Sequence, residues 1–145
     1  MNVLFVCTGN TCRSPMAAAL FDKIAQDKDL PVKIESAGLY AKDGEGASAE
    51  AIIAMKAYDI DLLGHRAKTI NAELLERSDL VLTMTNAHKM VLEQYLHDKV
   101  YTLMEFAGLL GDIPDPYGKD ADEYKKCAES IYQALLKVAE KFEYS

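Results

Sequence analysis

Apolar positions follow two periods along this chain, one of short runs and one of helical spacing. Residues 2–7, Asn-Val-Leu-Phe-Val-Cys, are nearly continuous in apolar character, the pattern of a strand covered on both faces. The polar stretch Thr8 to Arg13 contains Gly9-Asn10 and reads as a loop. Ser14-Pro15 then reads as an N-cap followed by proline at the first helical position. Met16, Ala17, Leu20, Phe21 and Ile24 continue it as an amphipathic helix. Residues 32–37 alternate as a second strand ending at Gly38. Residues 39–47, with Gly44 and Gly46, read as a mobile surface loop. A helix is predicted over 48–58 and a short one over 71–76 with Asn71 as its cap. Residues 80–84 form a third apolar strand, Asn86 caps a helix bearing Met90, Val91 and Leu92, and 100–104 form a fourth strand. After a proline-bearing loop at 112–118, a closing helix spans about 121–142. Its stripe of Tyr124, Ile131 and Val138, beside Ala128, Leu135 and Phe142, has the spacing of a packing face.

Strands alternating with helices define an α/β fold: a doubly wound sheet of four parallel strands with helices on both faces. Neither repeat nor linker interrupts residues 1–145, so one domain is expected. In such sheets ligands bind beyond the carboxyl ends of the strands, where strand order reverses. That directs attention to the loop between the first strand and the first helix.

Composition narrows the field. Half of the 145 residues are hydrophobic, enough for a packed core, and the formal net charge is -7. A field of that sign disfavours nucleic acid and anionic membranes as partners. No leader or membrane span is legible, so the cytoplasm is expected. Cys7, Cys12 and Cys127 are too few for a disulfide framework and lack the spacing of a structural zinc site. Neither a metal nor a cofactor is called for.

Cys7-Thr-Gly-Asn-Thr-Cys-Arg13-Ser14 places a cysteine at a strand end and an arginine at a helix start. A loop curled between them turns successive N–H groups inward as a nest for a tetrahedral anion, aided by the helix N-terminus. Arg13 supplies a planar fork for two phosphate oxygens. Gly9 gives the turn its conformational freedom. The same field favours the Cys7 thiolate, the form that acts as a nucleophile. Ser14 can donate to that sulfur. A bare Cys-x5-Arg pattern recurs by chance, and a buried cysteine beside a surface arginine is the plainer reading. The strand before it and the Ser-Pro start after it set this instance apart.

Cys7-Thr-Gly-Asn-Thr-Cys-Arg-Ser-Pro resembles the phosphate loop of the low-molecular-weight protein tyrosine phosphatases, and the likeness covers the whole chain. Three further segments agree: Asp115-Pro116-Tyr117, Ser36-Ala37-Gly38 and Gly64-His65-Arg66-Ala67. The resemblance implies a cysteine-dependent phosphatase in which Cys7 attacks phosphorus, Arg13 grips the phosphoryl group and Asp115 is the general acid. It implies that Thr8, Gly9, Asn10, Thr11, Cys12, Arg13 and Ser14 line the phosphate site. Ser36 and His65 would steady the loop from beneath through Asn10 and Ser14, with Tyr40 and Tyr117 as pocket walls. Cys12 would form a reversible disulfide with Cys7. His88 and His97 carry no partner signal and read as surface residues.

Some positions depart from the tyrosine phosphatase pattern. Residue 11 is Thr rather than a bulky aliphatic, Gly118 follows Tyr117, and the chain has no tryptophan. These features resemble the bacterial protein-arginine phosphatase branch. Phosphoarginine presents N–H groups that a Thr hydroxyl can accept and an aliphatic residue cannot. Phosphorylated proteins are the expected partners, and a monomer the expected state; a tyrosine phosphatase is the alternative. A thioredoxin-linked arsenate reductase would need two further cysteines after the third strand, and residues 83–96 contain none. A phosphate-binding module without turnover would need neither the thiolate nor the acid.

Overall fold

The first apolar run divides its side chains between two cores, and the fold is built outward from that division. In the computed structural model, which describes residues 1–96 and 98–143, this run is β1 (Asn2–Cys7). Val3, Phe5 and Cys7 face one core, whereas Leu4 and Val6 face the other, as the two-residue period of a strand requires. The remaining elements are α1 (Arg13–Lys28), β2 (Lys33–Gly38), α2 (Ala49–Lys56), α3 (Ala72–Arg77), β3 (Leu80–Thr83), α4 (Asn86–Glu93), β4 (Val100–Thr102), α5 (Leu103–Phe106) and α6 (Ala121–Glu143). The strands make one parallel sheet in the order β2-β1-β3-β4. The larger core joins the sheet to α1, α2, α5 and α6, and the smaller lies beneath α3 and α4. This is the doubly wound α/β architecture expected from the sequence. Its strand order reverses at β1, so the loop after Cys7 occupies the switch point.

Three of the boundaries that differ from the sequence reading have a cause in the hydrogen bonding. Ser14 does not cap α1: the helix begins at Arg13, with Cys12 as N-cap and no side-chain cap. The Ser14 hydroxyl is instead engaged with Cys7 and Asn10. Thr85, not Asn86, caps α4, its hydroxyl accepting from His88 N at 3.2 Å. The fourth strand stops at Thr102, and Leu103 and Met104 belong to α5. There the Thr102 hydroxyl accepts from Glu105 N at 3.0 Å, while the Glu105 carboxylate accepts from Thr102 N at 3.0 Å. A reciprocal capping box turns the chain before the strand can lengthen.

The segment expected to be mobile, 39–47, is tethered. Gly44 N donates to Ala67 O at 2.8 Å, Ala67 N donates to Glu45 O at 2.7 Å, and Ser48 N donates to Thr11 O at 2.9 Å. His88, expected at the surface, is 6% exposed, because α4 seats it against the loop after β1. His97 lies outside the described residues. Among the described residues no helix is long and apolar enough to cross a membrane.

Gly38 is where β2 crowds that loop. A Cβ there would lie 2.6 Å from Thr8 O and 3.0 Å from Asn10 N. Both are backbone atoms that cannot yield without reshaping the loop. Gly38→Ala is therefore expected to cost about 1–3 kcal/mol of stability, read from the urea unfolding midpoint.

Candidate active site

The loop from Cys7 to Arg13 owes its curl to Asn10. Gly9 does not supply the special conformation expected of it: the left-handed residue is Asn10, with φ of 56°. Asparagine tolerates that region better than most residues because its short amide bonds locally. Here the buried amide is fully used. Its Nδ2 donates to Ser14 Oγ at 2.8 Å and Ser36 Oγ at 3.0 Å, and its Oδ1 accepts from Lys68 N at 3.1 Å. The Asn10 carbonyl accepts from His65 Nε2 at 2.7 Å, which fixes the proton on that nitrogen. Burial holds His65 below its ordinary range, the Asn10 bond opposing and the nearby Arg66 and Lys68 charges assisting.

These bonds set the environment of the sulfur. Cys7 is 3% exposed at the base of a 270 Å³ cavity. Its Sγ accepts from Asn10 N at 3.3 Å and lies 2.9 Å from Ser14 Oγ. Because Ser14 Oγ already accepts from the Asn10 amide, its own proton is free for the sulfur, with Ala37 O at 3.4 Å the longer alternative. Two donors aimed at one sulfur favour an anion there.

Arg13, 4% exposed, joins this loop to residues 113–115. Its Nη1 donates to Ile113 O at 3.0 Å, and Nη2 lies 3.6 Å from Asp115 Oδ2. Ile113 is fully buried and its N–H donates to Met84 O at 2.9 Å, which anchors the segment to the end of β3. The Asp115 side chain is half exposed, and its Oδ1 accepts from Tyr117 N at 3.1 Å. With one Arg13 donor committed, the rest of its fork remains for an anion.

Of the residues expected to line the phosphate site, Cys7, Thr8, Gly9, Thr11, Cys12 and Arg13 line the cavity, with Asp115, Tyr40 and Tyr117 around them. Asn10 and Ser14 are fully buried behind it, and Ser36 sits beneath with His65. Cys7, Cys12 and Cys127 are free, buried thiols. Cys12 Sγ lies 3.2 Å from the Tyr124 hydroxyl, whose titration burial drives upward. Burial likewise pushes the Cys127 thiol up to about 12.

Sequence reasoning missed three residues. Lys42 and Glu45 also line the cavity; they arrive on the tethered segment 40–47, whose path no local pattern announces. His88 stands 2.8 Å from Thr8 Oγ1 through Nε2. Burial first, and the Arg13 charge second, hold it down to about 4, with Asp115 and Asp112 pulling the other way.

The likeness of this chain to known proteins covers nearly its whole length. Residues 2–144 match the family model described as low molecular weight phosphotyrosine protein phosphatase. A protein-arginine-phosphatase of Bacillus subtilis is 41% identical over 143 residues, covering 96% of this chain and 95% of its own length. A low molecular weight protein-tyrosine-phosphatase, PtpB of Staphylococcus haemolyticus, is 36% identical, covering 95% of this chain and 97% of its own. Among solved structures, a YwlE arginine phosphatase mutant with a phosphorylated active-site serine superposes with a TM-score of 0.94 at 39% identity, covering 99% and 96% of the two chains. A low molecular weight protein tyrosine phosphatase from T. tengcongensis gives 0.94 at 45% identity, covering 97% and 99%. The chain belongs to the low-molecular-weight phosphatase family, and it is a cysteine-dependent phosphatase.

The Asn10 network yields a direct test. Asn10→Ala strands the Lys68 N–H and loosens Ser14 and Ser36, at an expected cost of about 2–4 kcal/mol. Urea unfolding measures the cost. Competition by inorganic phosphate against aryl phosphate hydrolysis should show weaker phosphate binding.

Proposed function

We propose that this phosphatase acts on phosphoarginine in proteins, with Cys7, Arg13 and Asp115 as its catalytic residues. Cys7 thiolate attacks phosphorus while Arg13 and the loop N–H groups hold the phosphoryl oxygens. As the S–P bond forms and the P–N bond breaks, protonated Asp115 gives its proton to the departing guanidino nitrogen. Water then attacks the phosphocysteine and passes a proton to Asp115. The S–P bond breaks, inorganic phosphate leaves, and the thiolate returns, eased by the Ser14 hydroxyl.

The observation that carries the arginine reading is the polarity around the cavity. Thr11 offers a hydroxyl acceptor, and Asp115 and Glu45 bring two carboxylates to a cavity that Arg13 and Lys42 also line. A phosphoguanidine can use both kinds of group: its phosphoryl oxygens meet Arg13 and its N–H donors meet the hydroxyl and carboxylates. The curated arginine phosphatases among the relatives support the same reading. Tyrosine phosphatase activity is the second reading, favoured by the exposed rings of Tyr40 and Tyr117 on the cavity wall and by the relatives that carry that name. Phosphorylated proteins as partners, a monomeric state and a cytoplasmic location accompany either reading. The acidic balance of the chain speaks against nucleic acid.

The deciding measurement is kcat/KM for phosphoarginine against phosphotyrosine in one peptide context, with phosphoarginine expected to prevail. Thr11→Ile should move that ratio toward phosphotyrosine by roughly tenfold or more, because guanidine donors lose their acceptor. An unmoved ratio removes Thr11 as the discriminator. Asp115→Asn should slow phenyl phosphate by about 10²–10⁴, yet barely slow p-nitrophenyl phosphate, whose leaving group needs no proton. Equal slowing of both substrates would remove Asp115 as the acid.

A further inference from the structure

His88 is buried on the first turn of α4, away from the loop in sequence but against it in space. Its Nε2 lies 2.8 Å from Thr8 Oγ1, on the residue that follows the nucleophile and lines the cavity. Its Nδ1 is buried and has no hydrogen-bond partner among the described residues. Burial first and the Arg13 charge second, against the opposite pull of Asp115 and Asp112, keep this ring neutral at physiological pH. A neutral imidazole carries one N–H.

The tautomer follows from the unpartnered atom. If Nδ1 held the proton, a buried N–H donor would go unsatisfied. If Nε2 holds it, only an acceptor lone pair does, and orphaned buried N–H groups are the rarer case. The proton therefore sits on Nε2 and is donated to Thr8 Oγ1. Threonine then cannot give its hydroxyl proton back to His88. That proton is left for the cavity, which Thr8 lines together with Arg13.

We propose that His88 is a positioning residue that orients the Thr8 hydroxyl as a donor to a phosphoryl oxygen during transfer to Cys7. The inference rests on phosphoryl transfer at Cys7, whichever phosphorylated residue is the substrate. It makes Thr8 a side-chain member of the phosphoryl cradle and gives α4 a part in catalysis.

The test uses p-nitrophenyl phosphate, with inorganic phosphate as competitor. Thr8→Val, which keeps shape and removes the hydroxyl, should lower kcat/KM about tenfold, the value of one hydrogen bond to a charged group, and weaken phosphate inhibition similarly. Thr8→Ser should restore most of both. His88→Phe keeps the ring and removes the Nε2 donor; it should show the same loss with a urea midpoint close to that of the parent protein. The double variant Thr8→Val/His88→Phe should be no slower than either single one. Wild-type kcat/KM and phosphate inhibition in Thr8→Val would overturn the proposal, as would losses that multiply in the double variant. Should His88→Phe fail to fold, Thr8→Val against Thr8→Ser decides alone, since Thr8 is exposed and its substitution leaves the core intact. Failure of the phosphatase mechanism itself would show separately, as turnover surviving in Cys7→Ser.

Discussion

A left-handed asparagine holds the centre of this molecule together. At Asn10 the backbone turns so that its N–H meets the Cys7 sulfur, while its side chain ties Ser14, Ser36 and the Lys68 amide into one buried set. Each polar atom of that amide has a partner, the condition under which a buried network rigidifies a site instead of weakening it. The sulfur's second neighbour, Ser14 Oγ, is oriented by the same amide. Segments distant in sequence, at 36 and 65–68, therefore act on the Cys7 sulfur through a single residue. Strain in the phosphate loop is held from below, which leaves its upper face for substrate.

Arg13 makes the second connection, and its two arms differ in strength. The bond to Ile113 O is buried and short, so it fixes the base of the 113–115 segment. The contact with Asp115 is 3.6 Å long and its carboxylate is half exposed. Pairs of that kind are worth about 1 kcal/mol or less. A weak tether suits a carboxylate that, in the proposed mechanism, alternates between the arginine, a leaving group and a water. Firm anchoring at Ile113, with a loose carboxylate two residues on, places Asp115 without immobilising it.

The sheet was legible because four short apolar runs had no other economical place than a core shared by two helical layers. The loop was legible because cysteine, glycine, asparagine and arginine each had a chemical reason to stand at their spacing. What escaped notice depended on who competes for a side chain. Ser14 looks like a helix cap until Cys7 and Asn10 claim its hydroxyl. Gly9 looks like the flexible residue, although Asn10 takes the left-handed position. Thr102 and Glu105 did carry a readable signal, the Thr-x-x-Glu spacing of a capping box, and it ends the fourth strand early. His88 and Glu45 carried none, since only the packing of α4 brings His88 to Thr8 and only the pairing of Glu45 with Ala67 brings Glu45 to the cavity.

An acidic protein that binds phosphate must separate its fields by distance. At physiological ionic strength a charge is screened within about 8 Å, so the chain's net charge of -7 weighs little on a phosphoryl group already seated among N–H donors and Arg13. Glu45 and Asp115 line the cavity itself, where their sign opposes a phosphate arriving alone and that of Lys42 favours it. Under the arginine reading this is selective: a guanidino group bonded directly to phosphorus brings donors to the carboxylates as its phosphoryl reaches the arginine. An aryl phosphate offers them only a ring edge. The same two side chains that tax one substrate thus assist the other, and discrimination needs no reshaping of the loop that performs the chemistry.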